Sequence, residues 1–164
     1  MQEVISNIVS KSKFSKKQAF ETYMNKCLHY FEPMEDQTPR KNKSVIFRMD
    51  VFFKDIGTFI NELGKDKKYE TGATILFIIF EELGLNLDEC ECFILYHLRD
   101  LGKFRKKEST LLSELSSMWG QHKEYKLEGD DFSRAIRSLR DEKVINYRKG
   151  NLHLNPNVVI HYRN

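Results

Sequence analysis

Residues 130–154 read DDFSRAIRSLRDEKVINYRKGNLHL, and the spacing within this stretch decides the fold of the C-terminal half. Phe132, Ala135, Ile136 and Leu139 recur at steps of three and four, which line one face of a helix. Asp130 stands where a helix cap is expected. The period then changes to two. Ile145 and Tyr147 alternate with Asn146 and Arg148, and Leu152 and Leu154 resume the alternation beyond Lys149-Gly150-Asn151. That tripeptide is a hairpin turn signal, and Pro156 stops the second strand. With the apolar face turned inward, Ser133, Arg134, Arg137, Ser138 and Asp141 project away from it, and Arg140 lies near its edge.

Working upstream, Asp88 to Leu101 carries Phe93, Ile94, Leu98 and Leu101 at helical spacing. Lys103 to Glu108 is a basic connector around Phe104. Ser109 or Thr110 caps a further helix whose apolar residues are Leu111, Leu112, Leu115, Met118 and Trp119. Gly120 to Gly129 reads as a polar loop of about ten residues, long beside the three or four of an ordinary helix-turn-helix.

Three helices followed by a basic hairpin resemble the winged helix-turn-helix superfamily. The likeness covers residues 86–164 and is tightest over 130–154. Phe132, Ser133, Arg134, Ala135, Ile136, Leu139, Val144 and Ile145 fill the places of its reading helix and first wing strand. Lys149-Gly150-Asn151 is similar to a short wing tip. The resemblance implies sequence-specific binding of double-stranded DNA, with the third helix in the major groove. It assigns the contacts to Ser133, Arg134, Arg137, Ser138 and Arg140 on the helix and to Arg148 and Lys149 on the wing. Lys103, Arg105, Lys106 and Lys107 would add phosphate contacts that position without reading sequence. Arginine suits these places because its planar fork can bind guanine or phosphate through two hydrogen bonds. Asp130, Asp131, Asp141 and Glu142 flank the same helix and oppose the approach of phosphate.

The N-terminal half reads as helical. Val4, Ile5, Ile8 and Val9 fit one face of a short helix. The basic run Lys11, Lys13, Lys16 and Lys17 is a solvated linker or, alternatively, an arm along DNA phosphates. Ser15 and Gln18 have the spacing of a capping box. Phe20, Tyr23, Met24, Cys27, Leu28 and Phe31 predict one continuous helix closed by Pro33. Glu32 to Ser44 is an exposed loop. Val45 to Phe47 is a strand or the lead-in to a helix. Asp50 caps the next helix, with Phe52, Ile56, Phe59, Ile60 and Leu63 inward and Gly64 at its end. Thr71 caps a helix through Leu83, stopped by Gly84. Its centre, Ile75 to Phe80, is apolar all round, which suits a buried helix or the contact face of a dimer. The best internal boundary falls at Gly84 to Asn86.

The expected class is therefore mainly α (α+β), with a helical domain over residues 1–85 for dimerisation or partner binding and a winged helix with a β-hairpin wing over 86–164. The 164 residues suffice for a core without disulfide or metal staples. Twenty-seven basic against 24 acidic residues give a net charge of +3, too mild for indiscriminate attraction to nucleic acid or membrane. The most apolar stretch, Ala73 to Phe80, is far too short to span a bilayer, and no secretory leader is evident. Three cysteines suit a reducing cytoplasm better than a disulfide framework.

No metal or other cofactor is expected. Cys90 and Cys92, with His97 further on, lack the ligand number and convergence of a zinc site. The histidines at 29, 97, 122, 153 and 161 form no spaced pair. No phosphate loop, nucleophile elbow or paired-carboxylate motif supports an enzyme. The leading expectation is a transcriptional regulator. The alternatives are a winged-helix adaptor in a protein complex and an initiator of plasmid or phage replication.

Overall fold

The structure is a computed structural model, and it describes residues 1–31, 43–65, 68–100, 105–122 and 127–162. In chain order the elements are α1 (Gln2–Ser12), α2 (Lys17–Cys27), β1 (Leu28–Phe31), β2 (Lys43–Arg48), α3 (Met49–Glu62), α4 (Lys68–Glu82), α5 (Glu89–Asp100), β3 (Arg105–Lys107), α6 (Glu108–His122), α7 (Gly129–Asp141), β4 (Ile145–Arg148), β5 (Asn151–Leu154) and β6 (Asn157–Tyr162). The described chain is thus mainly helical, with two three-stranded antiparallel sheets ordered β1-β2-β6 and β3-β5-β4.

Two compact units result, and they are not the consecutive stretches 1–85 and 86–164. The first comprises Met1–Lys68, Ile78–Asn86 and Pro156–Asn164; the second comprises Tyr69–Phe77 and Leu87–Asn155. The last strand belongs with the first unit because β6 pairs with β2 along its whole length, from Lys43 opposite Tyr162 to Arg48 opposite Asn157. The Asp50 amide also donates to the Pro156 carbonyl at 3.1 Å.

In the first unit, α1 buries Val4, Ile5, Ile8 and Val9, as its spacing requires. The helix expected to continue to Phe31 ends at Cys27. Leu28 adopts extended backbone, and Leu28–Phe31 pairs with Ser44–Phe47. Leu28 sits on the buried side in either conformation, so helical spacing could not reveal the change. Neither Ser15 nor Asp50 caps a helix. Lys16 and Arg48 hold those cap positions without a side-chain hydrogen bond, and Asp50 instead lies 3.7 Å from Arg48. Val45 to Phe47 is strand.

Rings fill this unit's core. Phe20 stacks on Phe59 at 5.2 Å between centroids and Tyr23 on Phe59 at 4.9 Å. Phe52 meets Tyr23, Phe47 and Phe53, and Phe47 meets Phe80 edge-on at 5.6 Å. The Tyr23 hydroxyl donates to the Phe52 carbonyl, so its polar end is satisfied where it is buried. Gly84 ends α4 at φ +79. Its amide bonds back to Glu81, and that of Leu85 to Phe80 at 2.8 Å, closing the helix with a left-handed residue.

In the second unit, α5 begins with a reciprocal cap. The Glu91 amide donates to Asp88 Oδ1 at 2.9 Å and the Asp88 amide to Glu91 Oε2 at 2.6 Å. Phe93, Ile94 and Leu98 are buried, as are Leu111 and Leu115 of α6. Glu108 opens α6, so Ser109 and Thr110 lie inside its first turn. The basic connector contains strand β3, which pairs with β5 from Arg105 opposite His153 to Lys107 opposite Asn151. At Gly72 a Cβ would run into the Tyr96 ring, so the glycine lets α4 pass close to α5 without displacing that side chain.

Candidate nucleic-acid interface

The candidate interface is built on α7 and the β4–β5 hairpin. Phe132, Ala135, Ile136 and Leu139 are all buried, so the orientation of α7 follows its apolar period. Asp130 does not cap the helix. Glu128 holds that position, and Asp130 and Asp131 occupy the first turn, where their charge favours the helix N-terminus. The connector before α7 is shorter than the ten residues expected, because α6 continues through Gly120 to His122.

At its other end α7 closes with Lys143 at φ +57. The Lys143 amide bonds to the Arg140 carbonyl and the Val144 amide to that of Leu139. Asn155 then clamps the root of the hairpin. Its side-chain amide donates to the Lys143 carbonyl, its Oδ1 accepts from Asn146 Nδ2, and its backbone amide donates to the Val144 carbonyl at 2.9 Å. Register runs from Ile145 opposite Leu154 to Arg148 opposite Asn151. Lys149 and Gly150, at φ +50 and +76, form the tip, the pair of positive angles that a tight two-residue hairpin loop requires.

The residues singled out in the sequence fall into three groups. Ser133, Arg137, Arg148, Lys149 and Lys107 are exposed. Arg134, Ser138 and Arg140 are engaged with neighbouring protein groups. Arg134 Nη2 lies 2.5 Å from Asp131 Oδ1, one turn back on the same helix. Ser138 is half-buried and donates its hydroxyl to the Glu91 carboxylate, turning it towards α5. The Arg140 guanidinium lies over the Tyr147 ring, 4.9 Å from its centroid. Lys103 lies outside the described residues, and so do the side chains of Arg105 and Lys106.

Helical spacing orders these observations. Residues 133, 137 and 140 share one flank of α7, and the Arg140–Tyr147 contact places that flank beside the hairpin. Residues 131, 138 and 142 share the opposite flank, beside the start of α5. There Glu91 is buried, and its carboxyl is held above the usual carboxylate range. Burial is the largest cause; the Ser138 hydrogen bond opposes it, and the negative charges of Asp88 and Glu142 add to it. The Cys90 thiol is pushed up to about 12 by burial and by Asp88, Glu91 and Asp131, so it is no thiolate at neutral pH. One flank of α7 is thus basic and the other acidic. Helical spacing alone separates the two sets of charges; which flank meets the hairpin and which meets α5 needed the partners Tyr147 and Glu91, which no local pattern announces.

Elsewhere, Lys11 is paired at 3.0 Å with Glu82 and at 3.5 Å with Glu81, at the end of α4. His97 is buried, with Nε2 3.6 Å from Glu114. Among the described residues no group of three His, Cys, Asp or Glu side chains could hold a metal ion. Among them, too, no helix is long and apolar enough to cross a membrane. No protein-family model, curated protein or solved structure matches the chain.

Proposed function

We propose that the second unit is a winged helix-turn-helix that binds double-stranded DNA, and that the protein is a sequence-specific transcriptional regulator. The reading helix is α7, and the wing is the β4–β5 hairpin. The observation that carries the reading is the basic flank: Ser133 and Arg137 on α7 are exposed on the side that faces the hairpin, whose own Arg148 and Lys149 are exposed at its tip. The order α5, α6, α7 and hairpin supports it, as does the shortened connector before α7. Ser133 and Arg137 would face base edges, Arg148 and Lys149 the adjacent backbone, and Lys107 a phosphate. Should two chains pair through the N-terminal half, they would address half-sites about one helical turn apart.

The test is a fluorescence-anisotropy titration of the full chain with random duplex at two salt concentrations. Affinity should fall steeply as salt rises, because each neutralised phosphate releases counterions. Arg137→Glu with Arg148→Glu should weaken binding by about tenfold or more, since a single good base contact is worth roughly 1–3 kcal/mol. Thermal unfolding should hardly move, because both side chains are exposed. Unchanged affinity in the double variant would remove α7 and the hairpin from the interface.

The acidic flank favours a second reading, a protein adaptor that docks a basic partner along Asp88, Asp131 and Glu142. It forecasts no salt-dependent duplex affinity at all. An initiator of plasmid or phage replication would use the same basic surface, and genomic neighbourhood separates an origin from a promoter.

A further inference from the structure

We infer that Arg140 and Tyr147 are a positioning pair for duplex binding: the guanidinium seated on the ring sets the angle of the wing against α7, and Arg140 itself does not touch DNA. This rests on the proposed function and assigns a different task to one of its arginines. Besides the backbone bond from Val144 to Leu139 and the pairing of β5 with β3, two side-chain links among the described residues tie α7 to the hairpin. The first, the Asn155 clamp, holds the root, where the chain leaves α7 through Lys143 and enters β4. A clamp at the root fixes where the hairpin starts; β3 holds the β5 edge as far as Asn151, and on the β4 edge a side-chain contact with α7 further out is Tyr147. It lies in β4 opposite Leu152, two residues before the Lys149–Gly150 tip, and Arg140 in the last turn of α7 covers its ring at 4.9 Å.

The chemistry favours this arrangement. The ring face attracts the cation, while the planar guanidinium stacks on it and keeps its in-plane donors in water. Arg137, one turn back on the same flank, has no ring beneath it in β4 and points to the surface. A shift of the wing would carry Arg148 and Lys149 away from the groove that α7 occupies. Both contact sets would then suffer without any phosphate contact being deleted.

Four variants of the full chain test this by anisotropy with random duplex across a salt series: Arg140→Gln, Tyr147→Leu, the two together, and Tyr147→Phe. Either single change should weaken binding by the same factor, about two- to fivefold for an exposed cation–ring pair. The double variant should bind no more weakly than either alone, because the two side chains share one interaction. Tyr147→Phe, which keeps the ring, should bind as the parent does. The slope of log affinity against log salt should be the same in every variant. A slope reduced by about one in Arg140→Gln, with Tyr147→Leu silent, overturns the inference and makes Arg140 a phosphate contact. Should Tyr147→Leu fail to fold, Arg140→Gln decides alone through its slope, with Arg140→Lys as the variant that keeps the cation. A parent chain without duplex affinity refutes the proposed function itself, and with it this role. A parent that binds, with additive losses at 140 and 147, refutes only the pairing.

Discussion

From Phe14 to Phe80 the first unit is held by a relay of rings, in which Phe59 stacks on both Phe20 and Tyr23 and Phe52 on Tyr23. The second unit buries Leu, Ile and Val at most of its inward positions and uses polar links at its joints: the Asp88–Glu91 cap, the Ser138–Glu91 bond and the Asn155 clamp. Both close a helix on a left-handed lysine, Lys13 after α1 in the first and Lys143 after α7 in the second, and the first adds Gly64 and Gly84. A core of large rings gives the greater buried area per residue, and its stability is concentrated in few side chains. Aliphatic layers with polar joints spread stability out and fix the angles between elements. The second arrangement is the one that carries the exposed Arg137, Arg148 and Lys149.

The contrast can be broken most decisively at Phe52. Phe52→Ala removes the ring that meets Tyr23, Phe47 and Phe53, and should cost about 3–5 kcal/mol in chemical denaturation. A loss near 1 kcal/mol would mean that the relay is redundant. Gly72→Ala probes a close approach of two helices in the second unit. Glycine to alanine inside a helix ordinarily gains about 1 kcal/mol, but the new Cβ would meet the Tyr96 ring, so a net loss of about 1–3 kcal/mol is expected.

Lys143→Gly probes the left-handed lysine ending that α7 shares with α1, where Lys13 plays the same part. It relieves a left-handed lysine at φ +57 and should raise stability by roughly 0.5–1 kcal/mol, read as a higher Tm. The smallest effect is expected at Glu91. Its folded-state carboxyl titrates above the ordinary range, so the folded protein binds that proton more tightly than the unfolded chain does. Stability should therefore fall as pH rises from the usual carboxylate range through Glu91's higher folded value. Glu91→Gln keeps a side chain able to cap α5 and should lose that component of the pH profile. Thermal melts of both chains across pH measure it, and identical profiles would show that Glu91 is not its source.

Legibility in the sequence differed from element to element. The face of α7 could be read in full, since Phe132, Ala135, Ile136 and Leu139 repeat at a period that nothing else in the segment contradicts. The alternation of the hairpin was equally plain, and Lys149-Gly150 marked its turn. The break after Cys27 was not legible, because Leu28 fits the helical stripe of α2 and the buried side of β1 equally well. The separation of α7's charges was legible from helical spacing, but the partners of its flanks were not. Ser133, Arg137, Arg148 and Lys149 stood out as surface cations and donors, whereas nothing near Ser138 or Arg140 names Glu91 or Tyr147 as partner.

Periodicity, turn chemistry and the left-handed stops at Gly64 and Gly84 are local properties, carried by residues within a turn or a strand of one another. On their own they determined where most helices lie, which faces they bury and how the hairpin folds. Pairing is not local. That β6 joins β2 more than a hundred residues away, that β3 completes the second sheet, and that Arg140 rests on a ring while Arg137 faces water were settled only in three dimensions. Many strands could have satisfied β2, and many groups could have met an arginine. Tertiary packing selects one by excluding water from all of them at once.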